Sequence, residues 1–192
     1  MEDKLRLIKA FVASVSGVLH NNQDIVGEVD GKPFKGLLRS HYDGQGVSLL
    51  RAVGIKVAFV TTDSLNSTDL VFQLVERWNN LPSSSKMEGD GGWPRIKLIS
   101  DVVGTEQIAP VKKWLNESGL SFNDCAVMGH DLVQVPLLRM ALLRIAPAQA
   151  EDVVKKMVHY VTPRPGGNGA LRDVANKILE VREIDQTTLP TR

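Results

Sequence analysis

The sequence contains a single cysteine, Cys125, so the chain cannot form an internal disulfide bond. Structural disulfides are typical of secreted domains, whereas reduced thiols are typical of the cell interior. Cys125 begins a predicted buried strand, which favours a packing role over a reactive one. We therefore expect an intracellular protein, in the cytoplasm or the nucleus.

The sequence also lacks an excess of charge of either sign and lacks long apolar runs. Its 23 Lys and Arg residues nearly balance 22 Asp and Glu residues, which leaves a formal net charge of +1. The basic residues are dispersed, so we expect no electrostatic field that attracts nucleic acid. No apolar run reaches the roughly 20 residues that span a bilayer, and no signal-peptide pattern opens the chain. We expect a soluble protein with no nucleic-acid or membrane partner.

The composition is that of an ordinary globular domain, since 43% of the 192 residues are apolar and 23% are charged. We predict a single domain over residues 1–182, followed by a tail over residues 183–192. Residues 79–94 (NNLPSSSKMEGDGGWP) are rich in Ser, Gly and Pro, which predicts a flexible surface insertion within that domain.

Apolar runs of strand length alternate with amphipathic helical segments along the chain. This alternation predicts an α/β fold with a doubly wound, Rossmann-like parallel sheet and right-handed crossovers. A hairpin insertion at residues 24–40 interrupts the pattern, because Asp30-Gly31 joins two short runs as a two-residue turn. The predicted strands of the sheet cover residues 5–13, 55–61, 95–100, 125–129, 143–146 and 160–161.

A short polar loop, Ser14-Val15-Ser16-Gly17, follows the first predicted strand. Active sites of open α/β sheets lie beyond the carboxyl ends of the strands, so this loop is a candidate site. A serine hydroxyl must be activated by a neighbouring base before it attacks, and His20 or His130 could activate Ser14 or Ser16. The alternative is that these small residues only form a tight turn.

Two further polar features lie at the starts of predicted helices. Asp43 precedes a helical segment and is a candidate N-cap. Gly166-Gly167-Asn168-Gly169 precedes the final helix, whose free N–H groups could hold an anion with Arg164 and Arg172 nearby. The alternative for this glycine segment is a loop that closes the sheet.

Four segments, in this order, resemble the 3-deoxy-D-manno-octulosonate 8-phosphate phosphatases of the haloacid dehalogenase superfamily. They also resemble the C-terminal domain of animal CMP-sialic acid (N-acylneuraminate) synthetases. The segments are SVSGVL from Ser14, DGQGV from Asp43, GHDLVQVP from Gly129, and YVT from Tyr160 with GGNGALRD from Gly166. The resemblance implies a cap-less haloacid dehalogenase fold with a β-hairpin inserted after the first strand. It also implies a homotetramer in which the hairpins of neighbouring subunits meet.

The chain departs from the catalytic residues that this resemblance implies. Ser14 and Ser16 stand where the family has its nucleophilic aspartate and its acid/base aspartate. In the fourth motif, His130 and Gln134 replace two of the three metal-binding acids and leave Asp131. These positions are therefore degenerate catalytic positions.

Further positions of the motifs are partly kept. The family's phosphate-anchoring lysine falls near Glu106, which reverses the charge. Thr61 matches the hydroxyl of the second motif, and Asn168 replaces an arginine of the glycine segment. The residues that could still contact a ligand are Thr61, Gly167, Asn168 and Arg172.

These losses predict that the chain is not an enzyme. In this hypothesis it is an inactive phosphatase-fold domain that serves oligomerisation or regulation in sialic acid or related sugar-acid metabolism. Phosphoryl transfer of this type needs a carboxylate, a metal and a lysine together, so we expect no cofactor and no metal site.

Two alternatives remain. One is a Mg²⁺-dependent 3-deoxy-sugar-acid phosphate phosphatase with altered active-site residues, in which Asp131 would be the surviving metal ligand. The other is the C-terminal part of an N-acylneuraminate cytidylyltransferase, whose catalytic domain would then be a partner of this one.

Overall fold

The structure, a computed structural model, describes residues 1–85 and 91–190. Its strands are β1 (Ala10–Ser14), β2 (Asp24–Val29), β3 (Lys32–Leu37), β4 (Lys56–Val60), β5 (Lys97–Ile99), β6 (Cys125–Met128), β7 (Leu143–Ala146) and β8 (Tyr160–Val161). Within the described residues, six of them form a parallel sheet in the order β5-β4-β1-β6-β7-β8, and β2 pairs with β3 in a separate antiparallel hairpin.

Helices cover both faces of the parallel sheet. They are α1 (Glu2–Leu7), α2 (His41–Ala52), α3 (Leu70–Asn79), α4 (Pro82–Ser85), α5 (Ile108–Glu117), α6 (Val135–Met140), α7 (Asp152–Lys155) and α8 (Ala170–Val181). One apolar cluster joins the sheet to α1, α2, α3 and α8, and a second joins its other face to α5, α6 and α7. The predicted doubly wound fold is confirmed.

β1 is the strand through which the chain enters the middle of the sheet. It pairs in parallel with β4 on one side and with β6 on the other. Phe11 and Ala13 belong to one apolar cluster, whereas Ala10 and Val12 belong to the other, as the alternation of a strand requires. The segments that follow β1, β4 and β6 therefore meet at one edge, which we call the carboxyl edge.

The first strand is shorter than the sequence predicted. Residues 5–7 belong to α1, and β1 begins at Ala10. Leu5, within α1, and Ile8, which directly follows the helix, are both buried in the same apolar cluster. The run of apolar residues alone could not distinguish this helix from a strand.

The predicted hairpin is present and extends from the sheet. Asp30 (φ 52°) and Gly31 (φ 72°) both adopt positive φ, which is the geometry of a type I′ turn. Most residues of both strands are exposed, including Val26 at 74%. The hairpin therefore presents apolar side chains to solvent in the isolated chain.

Part of the predicted insertion at 79–94 packs against the body of the domain. Arg51 donates hydrogen bonds to Pro94 O and Ser84 Oγ, and its guanidinium carbon lies 5.5 Å from the centre of the Trp93 ring. Trp93 is buried as a result. Residues 86–90 lie outside the described residues, so the insertion as a whole stays a prediction.

The division into a domain and a tail also stays a prediction. In the described part of the tail, Ile184 and Leu189 pack against the core. Among residues 1–85 and 91–190, no helix has the length and apolar character needed to cross a bilayer.

Candidate active site at the carboxyl edge

The loop after β1 places its two serines in different surroundings. Ser14 is 2% exposed, and its Oγ donates a hydrogen bond of 2.9 Å to the carbonyl O of Ser16. The Ser14 hydroxyl is therefore turned into the loop. Ser16 instead lines a cavity of about 730 Å³, the Ser16 cavity. The other lining residues are His20, Asp24, Phe34, Lys35, Leu37, Asp63, Ser64, Leu65, Thr68, Asp69, Leu70 and Val71.

His20 lines this cavity, and one hydrogen bond fixes the orientation of its ring. Its Nδ1 lies 2.7 Å from the carbonyl O of Asn21. Because a carbonyl oxygen accepts and cannot donate, Nδ1 carries the proton, and Nε2 keeps its lone pair in the neutral ring. His20 also forms a backbone bridge with Ser16. A hydroxyl and an imidazole that can accept its proton therefore line the same cavity.

Charged side chains surround the pair. The Ser16 cavity includes the carboxylates of Asp24, Asp63 and Asp69 and the ammonium of Lys35. Lys35 Nζ lies 2.8 Å from Asp24 Oδ2, and this hydrogen bond raises the pKa of the lysine. Lys35 is thus the cation available in the cavity, whereas the acidic side chains oppose a bound anion.

Thr61 lies at the end of β4, as predicted, but acts within a turn. Its Oγ1 accepts a hydrogen bond of 3.1 Å from the N–H of Asp63 and donates one of 3.2 Å to Asp63 Oδ2. Thr61 is buried, so it does not face a ligand directly. It holds Asp63, which does line the Ser16 cavity.

His130 lies against the loop rather than in the cavity. A Cβ atom built on Gly17 (φ 71°) would lie 2.4 to 2.5 Å from three atoms of the His130 ring. His130 is 8% exposed, and its Nδ1 is buried without a hydrogen-bond partner in the described part of the chain. Burial lowers the pKa of His130, so its ring packs on the loop in the neutral form.

Asp131 and Gln134 form a capping box at the short 3-10 helix of residues 132–134. Asp131 Oδ1 accepts a hydrogen bond of 2.6 Å from the N–H of Leu132. Gln134 Oε1 accepts one of 3.0 Å from the N–H of Asp131. The side chain that would be a metal ligand in the family thus caps a helix here.

Glu106, the residue near the expected anchoring lysine, lies away from the cavity. Its carboxylate accepts a hydrogen bond of 3.2 Å from the N–H of Val103, at the start of the 3-10 helix Gly104–Gln107. The side chain is exposed and is not part of the Ser16 cavity lining. It acts as a helix cap.

The glycine segment before α8 does not leave its N–H groups free. Ser40, not Asp43, caps α2, since its Oγ accepts a hydrogen bond from the N–H of Tyr42. The carboxylate of Asp43 instead accepts hydrogen bonds of 2.8 Å from the N–H groups of Gly169 and Leu171. The prediction that Asp43 caps its own helix is wrong. The start of α8 is capped by this internal anion.

The residues that the sequence predicted to contact a ligand do not lie in one site. Gly167 and Asn168 line a second cavity of about 1000 Å³ beside Arg39, Ser40 and Tyr42. The guanidinium of Arg172 instead bonds to Gln45, Asn176 and Gln186. Thr61 lies at neither cavity surface.

Gln149 connects the loop after β1 to the glycine segment before α8, and the sequence analysis did not identify it. Its Nε2 donates a hydrogen bond of 2.7 Å to the carbonyl O of Gly17, and its Oε1 accepts one of 2.8 Å from the N–H of Gly166. A lone glutamine carries no sequence signal for this role. The sequence also gave no signal for the charged residues of the Ser16 cavity, because their proximity depends on where the hairpin packs. These residues are Asp24, Lys35, Asp63 and Asp69.

The residues present do not fit a magnesium site of the family type. In the described ranges, no three His, Cys, Asp or Glu side chains converge in a way that could hold a metal ion. Mg²⁺ demands near-octahedral coordination by oxygen atoms, with one or two carboxylates. Asp131 caps a helix, Ser14 is turned into the loop, and His130 covers Gly17.

No protein-family model matches the chain. The N-acylneuraminate cytidylyltransferase A of Danio rerio is 25% identical over 182 residues, which is 95% of this chain but 37% of that protein. The 3-deoxy-D-manno-octulosonate 8-phosphate phosphatase KdsC of Yersinia pestis is 26% identical over 172 residues, covering 90% of this chain and 80% of that protein. The chain thus spans little over a third of the first relative and most of the second.

Solved structures give the same result for the fold. The 3-deoxy-D-manno-octulosonate 8-phosphate phosphatase from Yersinia pestis superposes with a TM-score of 0.76 at 21% identity, covering all of this chain and 90% of that one. The phosphatase from Moraxella catarrhalis, solved with magnesium, phosphate and KDO, has a TM-score of 0.71 at 24% identity over 94% of this chain and 90% of that one. The resemblance inferred from the motifs and the haloacid dehalogenase fold are both confirmed.

These comparisons correct two expectations. The prediction that the chain is not an enzyme is wrong, because relatives matched over most of their length are named phosphatases. The expectation of no cofactor is opposed by relatives solved with magnesium and, for the Haemophilus influenzae phosphatase, with cobalt. Both expectations rested on the loss of the acidic residues from the motifs.

Proposed function

We propose, from the likeness to 3-deoxy-D-manno-octulosonate 8-phosphate phosphatases, that this chain is a phosphomonoester hydrolase acting on a sugar-acid phosphate at the Ser16 cavity. The observation that carries the proposal is that Ser16 and His20 line the same cavity at the carboxyl edge, where active sites of such sheets lie. In this proposal a serine hydroxyl takes the place of the family's nucleophilic carboxylate.

In this proposal Ser16 Oγ attacks phosphorus while its proton passes to Nε2 of His20. The bond between phosphorus and the sugar oxygen breaks, and the leaving oxygen takes the proton from His20. Water then attacks phosphorus and gives a proton to His20 while the bond between phosphorus and Ser16 Oγ breaks. His20 returns that proton to Ser16 Oγ, and inorganic phosphate is released. The hydrogen bond from His20 Nδ1 to Asn21 O holds the ring orientation throughout.

Because the cavity is mainly acidic, the key variable in an activity assay is the presence of a divalent metal ion. Three carboxylates and one ammonium line it, so a phosphate dianion would meet net repulsion. The described residues do not form a metal cluster, and no step is assigned to a metal. A relative holds magnesium with phosphate, so divalent ions belong in the assay.

The test is phosphate release from 3-deoxy-D-manno-octulosonate 8-phosphate and from p-nitrophenyl phosphate, with and without Mg²⁺ or Co²⁺. Ser16→Ala should lower kcat by about a hundredfold or more, as should His20→Asn. Ser14→Ala, a matched loss of one hydroxyl in the same loop, should leave most of the activity. Equal activity in Ser16→Ala and the unaltered chain contradicts the serine role, and absence of release under every condition contradicts the function.

A second candidate is a role as the C-terminal module of a cytidylyltransferase. It is supported by the Danio rerio relative, of which the chain covers 37%. The test adds the purified chain to an N-acylneuraminate cytidylyltransferase catalytic domain and measures CMP-sugar formation and co-elution. Unchanged rate and separate elution would remove this candidate.

We also propose self-association through the hairpin, as a homotetramer. The exposed apolar side chains of Ile25, Val26, Val29 and Phe34 support a second copy as the occupant of this face. Val26→Glu should reduce the mass measured by light scattering, whereas Val153→Glu, on α7 at 53% exposure, should not. A monomer for the unaltered chain at micromolar concentration would contradict the proposal.

A further inference from the structure

Three basic side chains meet near the amino ends of β7 and β8, away from the carboxyl edge. Arg144 is the second residue of β7, and His159 directly precedes β8. The two are joined by the backbone, since the N–H of His159 donates a hydrogen bond of 2.9 Å to the carbonyl O of Arg144. Lys4 reaches them from α1, so three elements fix the group.

The hydrogen bonds of His159 determine where its proton lies. Nδ1 accepts a hydrogen bond of 3.0 Å from the backbone N–H of Arg144. The imidazole therefore carries its proton on Nε2 and cannot be doubly protonated in this arrangement. Nε2–H is a donor.

The neighbours of Nε2 are donors as well. Lys4 Nζ lies 2.7 Å from Nε2, and Arg144 Nη2 lies 3.2 Å from it. An ammonium and a guanidinium have no acceptor site. Arg144 Nε is in addition buried without a hydrogen-bond partner in the described part of the chain. Three donor groups, the ammonium of Lys4, the guanidinium of Arg144 and Nε2–H of His159, thus meet with no acceptor among them.

The positive charges are also not neutralised locally. Within residues 1–85 and 91–190, neither Lys4 nor Arg144 forms an ion pair with a carboxylate. Burial, Arg144, Lys4 and the amino terminus all lower the pKa of His159, which fits a neutral ring among cations. Two like charges beside one imidazole repel each other, and an anion bound next to them offsets that repulsion.

We propose that Lys4, Arg144 and His159 form a binding site for a phosphate-type oxyanion at the edge of the sheet opposite the Ser16 cavity. An oxyanion offers only acceptors, so its oxygens satisfy Nε2–H of His159, the ammonium of Lys4 and the guanidinium of Arg144 together. The site is separate from the proposed hydrolase site and does not depend on it. Its occupant is inorganic phosphate or the phosphate group of a metabolite.

The experiment is an NMR titration of the ¹⁵N-labelled full chain with inorganic phosphate, and then with a sugar phosphate, at constant ionic strength. We expect saturable shifts of the Arg144 Nε–H and His159 side-chain resonances. Lys4→Gln and Arg144→Gln should each weaken binding about tenfold or more. Lys9→Gln removes the same charge from a nearby lysine that is paired with Asp124 at 3.3 Å, and it should leave binding unchanged.

Three results would overturn the proposal. One is the absence of saturable shifts at Arg144 and His159, and another is equal binding by the Lys4→Gln and Lys9→Gln variants. The third is a neutral Lys4 amine at pH 7, because that amine would itself accept from Nε2–H. Lys4 lies on a short surface helix, so its variant tests the site even if Arg144→Gln fails to fold. Phosphate bound at the Ser16 cavity would shift His20 and Lys35 resonances instead, which separates the two proposals.

Discussion

The carboxylate of Asp43, in α2, accepts a hydrogen bond of 2.8 Å from the backbone N–H of Leu171, in the first turn of α8. Its other oxygen accepts one of 2.8 Å from the N–H of Gly169. Burial raises the pKa of Asp43, while these hydrogen bonds act against that shift. Two helices of 12 residues each are thereby joined by a cap that comes from a neighbouring helix.

Removing this cap should destabilise the fold more than removing a local one. Asp43→Ala leaves two buried N–H groups without an acceptor, so we expect a loss of about 2 kcal/mol or more in the free energy of unfolding. Ser40→Ala removes the cap of α2 at an exposed site and should cost about 1 kcal/mol. Urea denaturation of both variants measures the difference. Equal losses would contradict the role of Asp43 as a buried cap.

Gly17 should tolerate no side chain because His130 covers it. Gly17→Ala combines the strain of positive φ with overlap against the ring, and we expect a loss of about 2 to 4 kcal/mol. Gly54 (φ 78°) has open space around it, so Gly54→Ala is the control for strain alone, at about 1 kcal/mol.

A double-mutant cycle separates overlap from strain at Gly17. His130→Ala should relieve the overlap, so the loss caused by Gly17→Ala should be smaller in that background. Additive losses in thermal or urea unfolding, or equal effects of Gly17→Ala and Gly54→Ala, would show that the ring does not restrict the loop.

The elements most accessible from the sequence were those specified by their own residues. β7 and β8 were predicted with the bounds that the structure has, since short apolar runs between polar segments define them. The hairpin turn was predicted from Asp30-Gly31, because few dipeptides favour two positive φ values in succession. These features depend on local chemistry.

The elements that were missed depend on residues far apart in the chain. Asp43 and Leu171 are 128 positions apart, so no local pattern distinguishes a cap of α2 from a cap of α8. The same holds for Gln149, which joins Gly17 to Gly166. The strand pattern placed the β1 loop at the carboxyl edge, but the environments of Ser14 and Ser16 depend on which hydroxyl the loop turns inward.

His130 should make the stability of the fold depend on pH. Burial lowers the pKa of His130 in the folded state below the value of about 6.5 in the unfolded chain. The unfolded state therefore binds more protons as the pH falls, and stability is lost between about pH 6.5 and the folded pKa. His130→Asn should flatten this slope, by at most about 1.4 kcal/mol per pH unit.

The measurement is urea unfolding of the unaltered chain and of His130→Asn from about pH 7.5 down to pH 5, above the range of ordinary carboxyl groups. A residual slope in the variant is expected from His159, whose pKa is also lowered. Identical slopes in both proteins would mean that folding does not change the pKa of His130.

Arg51 should be irreplaceable by lysine, because its planar guanidinium serves three acceptors at once. It is 1% exposed and donates to Pro94 O at 2.7 Å, Trp78 O at 3.2 Å and Ser84 Oγ at 2.6 Å. Burial lowers its pKa to about 10, so it stays charged at neutral pH. An ammonium on a shorter stem cannot reach all three acceptors, and Arg51→Lys should lower the free energy of unfolding by about 2 to 4 kcal/mol.

The control is Arg95→Lys, directly after Pro94, where the arginine side chain is 59% exposed. It should change the free energy of unfolding by less than about 0.5 kcal/mol. Tryptophan fluorescence during urea unfolding follows both variants, since Trp78 and Trp93 lie beside Arg51. If Arg51→Lys lost no more stability than Arg95→Lys, the packing of Trp93 rather than the guanidinium of Arg51 would hold Trp93 and Pro94 against the domain.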